Sequence, residues 1–164
     1  MLHEKERLLA NLTGVNSSKL NYYIELKKRN KEIVKQNNRL EIIHQLVRDI
    51  NIDMTIKDIV ERVHSKLPMA IPCDFLGLVL LRQDELYVKA ALPPILNKAI
   101  PITRDSFLWK CVEAGKACIY DPIPKDDCFI KKNPALESQI RTLAVVPLFV
   151  KTAVQGVLLV GSRF

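Results

Sequence analysis

The segment from Ser18 to Ile50 constrains the fold most, because it contains neither proline nor glycine. Such a segment can form one long helix, and Ser17 or Ser18 can cap its start. Apolar residues recur in it at every seventh position, namely Leu26, Ile33, Leu40 and Val47. The positions that follow the first three by four residues are polar, namely Asn30, Asn37 and His44.

Paired asparagines at such positions fix register and strand number in a parallel two-stranded coiled coil. We therefore expect residues 18–50 to form a coiled coil that makes the protein a homodimer, preceded by a polar segment at residues 1–17. The alternative is an amphipathic helix that lies on its own domain. Beyond Leu40 apolar residues cover more than half of the helix circumference, so the helix should contact two surfaces there. We place the start of the globular domain at this point, giving a domain over residues 40–164.

After a break at residues 51–54, the pattern predicts an α+β domain. Asp53 or Thr55 can cap a second helix, which ends at Pro68. Apolar runs predict two strands joined by a turn at residues 82–85, and Thr103 or Asp105 can cap a short helix that ends at Gly115. A short strand and a proline-punctuated loop follow, and the last two strands surround a turn at residues 151–153. These two strands are rich in Val and Leu, as strands buried on both faces should be.

Composition and charge exclude several classes of protein. The net charge is +7, but basic residues are spread over both halves of the chain, whereas nucleic-acid binding needs a basic stripe. We expect no membrane span, since there is no run of 18 apolar residues, and no secretory signal follows Met1. The four cysteines form no CxxC pair, so we expect reduced thiols in a cytoplasmic protein without a metal.

Residues 140–150 and 154–161 contain Pro147-Leu148 in a first strand and Gly156-Val157-Leu158 in a return strand. This pattern resembles the strand–turn–strand of the GAF family. Residues 106–121 are similar to its helix, its turn (with Ala117 in place of proline) and its strand ending in Asp121. These motifs are structural, so they identify a fold and leave the ligand unknown.

The resemblance implies an antiparallel sheet of five or six strands with helices on both faces. It also implies a sensory domain that precedes the output domain of a longer signalling protein, such as a histidine kinase or diguanylate cyclase, and that dimerises through flanking helices. The family normally closes with one more long helix after its last strand. The sequence stops at Phe164, before such a helix, which suggests a fragment of a longer sensor.

For a ligand sensor, the expected pocket is mostly aromatic and apolar. Its predicted apolar lining is Phe107, Trp109, Tyr120, Ile123, Phe129 and Val145. Its polar candidates are Asp121, Cys128 and Arg141. This mixture suits a small, partly apolar ligand. Two alternatives stay open: the aromatics simply fill the space in a ligand-free dimerisation module, and Arg141 forms a surface salt bridge.

We expect no enzymatic activity, because the sequence shows no catalytic set or phosphate-binding glycine loop. Residues 126–129 match the D-x-C-F signature of some bilin-binding GAF photoreceptors, but no Cys-His pair follows. All three histidines precede the sheet, which disfavours haem. The alternative is a stand-alone GAF thiol enzyme that reduces free methionine sulfoxide, in which Lys125, Lys131 and Lys132 would favour a reactive Cys128.

Overall fold

The computed structural model describes residues 1–51 and 53–163 of the chain. The predicted helix break at 51–54 and the predicted domain end at Phe164 therefore lie partly outside the described residues. The chain divides into two compact units. We call Met1–Glu41 the N-terminal unit and the residues from Ile42 onward the globular unit.

One helix, α1, runs from Leu2 to Asp49. The prediction that this helix starts at Ser17 or Ser18 is wrong, because the segment before these serines is helical too. That segment holds a single glycine, Gly14, and one glycine inside a helix costs only about 1 kcal/mol relative to alanine. Every residue of the N-terminal unit is exposed. Within the described ranges, no helix is both long and apolar enough to cross a membrane.

Helix α2 spans Ile56–Lys66 and begins with a capping box. The Thr55 hydroxyl accepts a hydrogen bond from the Asp58 backbone N–H, and the Asp58 carboxylate accepts one from the Thr55 backbone N–H. This reciprocal pair satisfies two backbone donors that a helix N-terminus otherwise leaves free, and it confirms Thr55 as the cap. The helix runs into a 3-10 turn, Leu67–Met69.

Five antiparallel strands form one sheet in the order β2-β1-β5-β4-β3. The strands are β1 (Phe75–Arg82), β2 (Glu85–Leu92), β3 (Cys118–Tyr120), β4 (Thr142–Val150) and β5 (Ala153–Ser162). Gln83 and Asp84 both have positive φ and connect β1 to β2, the conformation that matches the twist of a two-residue hairpin. The α+β prediction and the hairpin are confirmed.

Gly156 lets the two central strands approach closely. A Cβ atom at this position would lie 2.3 Å from the Val79 carbonyl oxygen, so β5 tolerates no side chain beside β1.

Three helices lie between β2 and β4 in the sequence: α3 (Phe107–Ala114), α4 (Cys128–Lys131) and α5 (Pro134–Gln139). Helix α3 ends at Gly115, which adopts the left-handed conformation, as predicted. Its cap is Ser106 rather than Thr103 or Asp105. The segment predicted as a loop contains α4 and α5, which are too short to show a helical period in the sequence.

The two faces of the sheet differ in burial. Helix α3 packs on β4 and β5, and a continuous core forms on that face. Helix α2 packs on β1 and β2, and its Val60 is buried outside that core. Along β4, Leu143 and Val145 are fully buried whereas Val146 is only half-buried. The prediction of strands buried on both faces is therefore wrong for the second face.

Candidate functional site

Three elements bring predicted pocket residues together in an aromatic cluster, which we define as Phe107 of α3, Tyr120 of β3 and Phe129 of α4. The Phe107 and Tyr120 rings are 5.0 Å apart edge to face. The Phe107 and Phe129 rings are 6.2 Å apart in the same orientation. Edge-to-face contact is favourable because the positive edge of one ring meets the negative face of the other. Ile123 and Val145 belong to the same core, so these side chains pack against one another in the structure.

Asp127 ties the starts of α3 and α4 together. Its carboxylate accepts hydrogen bonds from the backbone N–H of Phe129 at 2.8 Å and from that of Phe107 at 2.7 Å. It also accepts one from the hydroxyl of Ser106 at 3.2 Å. Ser106 is fully buried, and its oxygen accepts the Leu108 N–H. One carboxylate thus caps two helices and positions two rings of the aromatic cluster.

Sequence reasoning missed this role, because it considered residues 126–129 as a match to the D-x-C-F signature. The available signal was local: an Asp or Ser directly before a short apolar run is typical of a helix N-cap. That one Asp caps two helices is not visible locally, since Ser106 and Asp127 are 21 residues apart.

Asn133 is a second buried polar residue that the sequence did not single out. It is 2 % exposed, and its side chain joins two segments. Its amide nitrogen donates to the Phe129 carbonyl at 2.8 Å, and its amide oxygen accepts the Asn97 N–H at 2.7 Å. With both groups satisfied, Asn133 fixes the end of α4 against the segment that follows β2.

Trp109 is held by the segment that precedes α3. Its indole N–H donates to the Ile102 carbonyl at 3.2 Å, and the guanidinium of Arg104 lies 3.8 Å from the ring centroid. Such a cation over an aromatic face is attracted by the ring quadrupole. The structure therefore gives this predicted pocket residue other partners than the aromatic cluster.

Asp121 and Arg141 meet each other at the protein surface. The Arg141 Nε atom is 3.4 Å from the Asp121 carboxylate, and both side chains are more than half exposed. An exposed pair of this kind contributes little to stability. A surface salt bridge is thus the observed arrangement for Arg141, and its contact with an anionic ligand stays a prediction.

Cys128 lies beside a hydroxyl and a carboxylate. Its sulfur is 2.9 Å from the Thr103 hydroxyl and donates to the Asp105 carboxylate at 3.5 Å. Hydrogen bonds from Thr103, its own backbone and Cys128 hold the pKa of Asp105 below its usual value. The sequence placed lysines around this thiol, but its hydrogen-bond partners are Thr103 and Asp105.

All four cysteines are free thiols. Cys111 is buried, and its burial and the neighbouring Cys118 raise its pKa to about 11. Both thiols point at the same acceptor, the carbonyl oxygen of Lys116. Among the described residues, no group of three or more His, Cys, Asp or Glu side chains is arranged to hold a metal ion.

The predicted dimerisation residues lie on α1 and are exposed. The apolar positions Leu26, Ile33, Leu40 and Val47 are 42 %, 52 %, 55 % and 64 % exposed. Asn30 and Asn37 are exposed as well. In the described part of α1, Leu46 is the one buried residue. These apolar side chains are therefore available to a partner.

Comparison with known proteins identifies the family. The family model for the GAF domain matches residues 53–164. The GAF domain of a two-component sensor histidine kinase from Bacillus halodurans is similar in structure, with a TM-score of 0.58 and 22 % identity over 68 % of this chain and 78 % of that one. The GAF domain of a phosphoenolpyruvate-protein phosphotransferase from Coxiella burnetii gives a TM-score of 0.62 and 18 % identity, over 78 % and 79 % of the two chains.

The fRMsr of Staphylococcus aureus, in complex with its substrate, is also similar, with a TM-score of 0.59 and 19 % identity over 77 % of this chain and 80 % of that one. No curated protein matches the sequence significantly. At these identities the structural likeness concerns the fold, and it agrees with the five-stranded sheet and the long first helix. The sequence motifs, the family match over 53–164 and the sheet order lead to one conclusion: the chain belongs to the GAF family.

Proposed function

We propose that this GAF domain is a sensory or regulatory input module of a signal-transduction protein, and that it acts as a homodimer held through α1. The observation that carries the proposal is the exposed apolar row on α1, Leu26, Ile33, Leu40 and Val47. Apolar side chains at a seven-residue spacing gain stability when a second helix covers them. A second copy of the chain supplies the same row with the same spacing.

The polar positions of α1 support a coiled coil of two helices in register. Asn30 and Asn37 stand where a parallel dimer pairs asparagines across its core, at a cost in stability and with a gain in specificity. The helix has local support as well, since Arg29 and Glu25 form an ion pair at 2.7 Å one turn apart. The helix can therefore persist while its apolar row awaits a partner.

The proposed ligand site is the aromatic cluster under α4, whose rings contact one another in the structure. A partly apolar small molecule would take the place of Phe129 against Phe107 and Tyr120. The predicted lining adds Asp121, Cys128 and Arg141 as polar candidates and Trp109 as a further aromatic one. Such a molecule has to move α4, whose position depends on Asp127. A ligand that binds the displaced arrangement more tightly shifts the equilibrium between the two arrangements. The competing proposal is a ligand-free module in which the cluster stays packed.

The proposal also treats the domain as non-enzymatic. The contacts of Cys128 support this, because its hydrogen-bond partners are the Thr103 hydroxyl and the Asp105 carboxylate and not the lysines near it in the sequence. The likeness to fRMsr makes the direct assay worthwhile: free methionine sulfoxide with dithiothreitol as reductant would yield methionine, oxidised dithiothreitol and water. We expect no turnover above the rate without protein; turnover lost in Cys128→Ser would establish the thiol enzyme instead.

Native mass spectrometry of the purified chain tests the main proposal. We expect a dimer, and a small additional mass on it would support the sensor and give the ligand's weight. An empty dimer favours the dimerisation module. A monomer at micromolar concentration contradicts the proposed role of α1.

A further inference from the structure

A cavity lies between α2 and the edge strand β2, away from the aromatic cluster. Its volume is about 280 Å³. Val60 of α2 and the β2 residues Ala90 and Leu92 give it an apolar floor. Lys57, Lys89 and Lys98 line it as well, and all three are exposed. The cavity thus combines an apolar floor with a cationic rim.

A β-bulge shapes this cavity. The pairing of β1 with β2 passes from Leu78↔Ala90 to Val79↔Val88, which leaves Lys89 as an extra residue in β2. A bulge redirects the side chain of its extra residue and bends its strand. Here the extra residue is one of the rim lysines. The next residue, Ala90, is small, so the floor keeps space that a larger side chain would fill.

The charges at the rim are unbalanced. Lys57 forms a loose pair with Glu61 at 3.9 Å, one turn apart on α2. Glu61 also lines the cavity, so it offsets one of the three lysines. Among the described residues, neither Lys89 nor Lys98 lies within 4.0 Å of a carboxylate. An anion at the rim would therefore meet two cations without a bound counter-charge.

We propose that this cavity binds a small amphipathic anion, an aliphatic carboxylate whose chain lies on Val60 and Ala90 and whose head group meets Lys89 and Lys98. Ligand sites commonly have volumes of about 300–1,000 Å³, so this cavity suits a short chain. The side chains of the floor are apolar, so they cannot form hydrogen bonds with the hydroxyls of a sugar or a nucleotide. The site differs from the proposed site under α4 and does not depend on the function proposed above.

Titration calorimetry of the full chain with straight-chain carboxylates, from butanoate to decanoate, tests the proposal. We expect affinity to rise about fourfold for each CH₂ group that enters the cavity, and then to level off when the cavity is full. The primary alcohol of equal length should bind more weakly, because it lacks the charge. Affinity that is independent of chain length, or an alcohol that binds as well as the acid, would overturn the proposal.

Two variants locate the binding. Ala90→Leu fills the floor and should abolish binding while leaving the thermal midpoint close to that of the wild type. Lys89→Gln combined with Lys98→Gln changes exposed side chains only, so it folds even if Ala90→Leu does not, and it should weaken binding about fivefold. Lys110→Gln, an exposed lysine on α3, is the matched control and should change nothing. Unchanged affinity in the double variant would reject the site, whether or not the protein dimerises.

Discussion

The N-terminal unit and the globular unit differ in the burial of their apolar side chains. In the N-terminal unit every residue is exposed, including Leu12, Leu26 and Ile33. In the globular unit Phe75 and Leu108 have no exposed surface at all. The globular unit can thus be stable through its own core, whereas the apolar side chains of the N-terminal unit are exposed. Under the proposed function, a second copy of the chain covers the apolar side chains of the first 41 residues.

A charge in the exposed apolar row of α1 should have the largest effect on association. We expect Ile33→Asp to weaken dimerisation on the order of 1,000-fold, because two carboxylates would be buried without partners in each dimer. Sedimentation velocity over a range of concentrations measures the change. Lys31→Asp is the control, since it alters charge two residues away and off the row. If both variants dimerise alike, α1 is not the interface.

The stability of the globular unit should depend on the carboxylate of Asp127. Asp127→Ala removes three hydrogen bonds to a carboxylate and leaves the buried Ser106 hydroxyl without its acceptor. We expect a loss of about 2–3 kcal/mol in the free energy of unfolding, measured by urea denaturation followed through Trp109 fluorescence. The neighbouring Asp126→Ala should cost less than ~0.5 kcal/mol. Equal effects of the two variants would show that Asp127 does not fasten α3 to α4.

The two units also differ in what the sequence could predict. Heptad spacing and alternation are local patterns, so α1, the hairpin and the last two strands could be predicted. The Thr55 cap and Gly115 follow from local backbone needs. The hydrogen bonds from Asp127 to the start of α3 could not be predicted, because Ser106 and Phe107 are about twenty residues away in sequence.

The aromatic cluster shows a second limit. The resemblance to the GAF family implied that Phe107, Tyr120 and Phe129 surround one space, and the structure does bring them together. Whether that space is filled depends on how the side chains pack, and a sequence pattern carries no information on packing volume. The start of α1 was missed for a different reason. Gly14 alone costs too little free energy to end a helix.

Replacing both Asn30 and Asn37 tests how the N-terminal unit associates. We expect Asn30→Leu combined with Asn37→Leu to tighten association roughly tenfold, because apolar side chains replace polar ones in the core of the pair. The same change removes the groups that fix strand number, so dimers should coexist with larger species in sedimentation equilibrium. Asn38→Leu, next to the second site and off the row, serves as the control. An unchanged single dimeric state in the double variant would contradict the coiled coil.

The last difference between the two units concerns the dependence of stability on alkaline pH. Burial raises the pKa of Cys111 to about 11, from an ordinary value of 9.0, and raises that of Cys73 too. The unfolded chain therefore loses these protons first, and the stability of the globular unit should fall as the pH rises from about 9 to 11. Burial also raises the pKa of Tyr120, which adds to the loss at the upper end.

The N-terminal unit contains no cysteine, so this alkaline loss belongs to the globular unit. Cys111→Ala should flatten the slope of the unfolding free energy against pH between pH 9 and 11. Urea denaturation at each pH, followed by Trp109 fluorescence for the globular unit, measures that slope. An equal slope in Cys111→Ala and the wild type would mean that Cys111 titrates alike in the folded and unfolded chains, and that its burial is too shallow to resist ionisation.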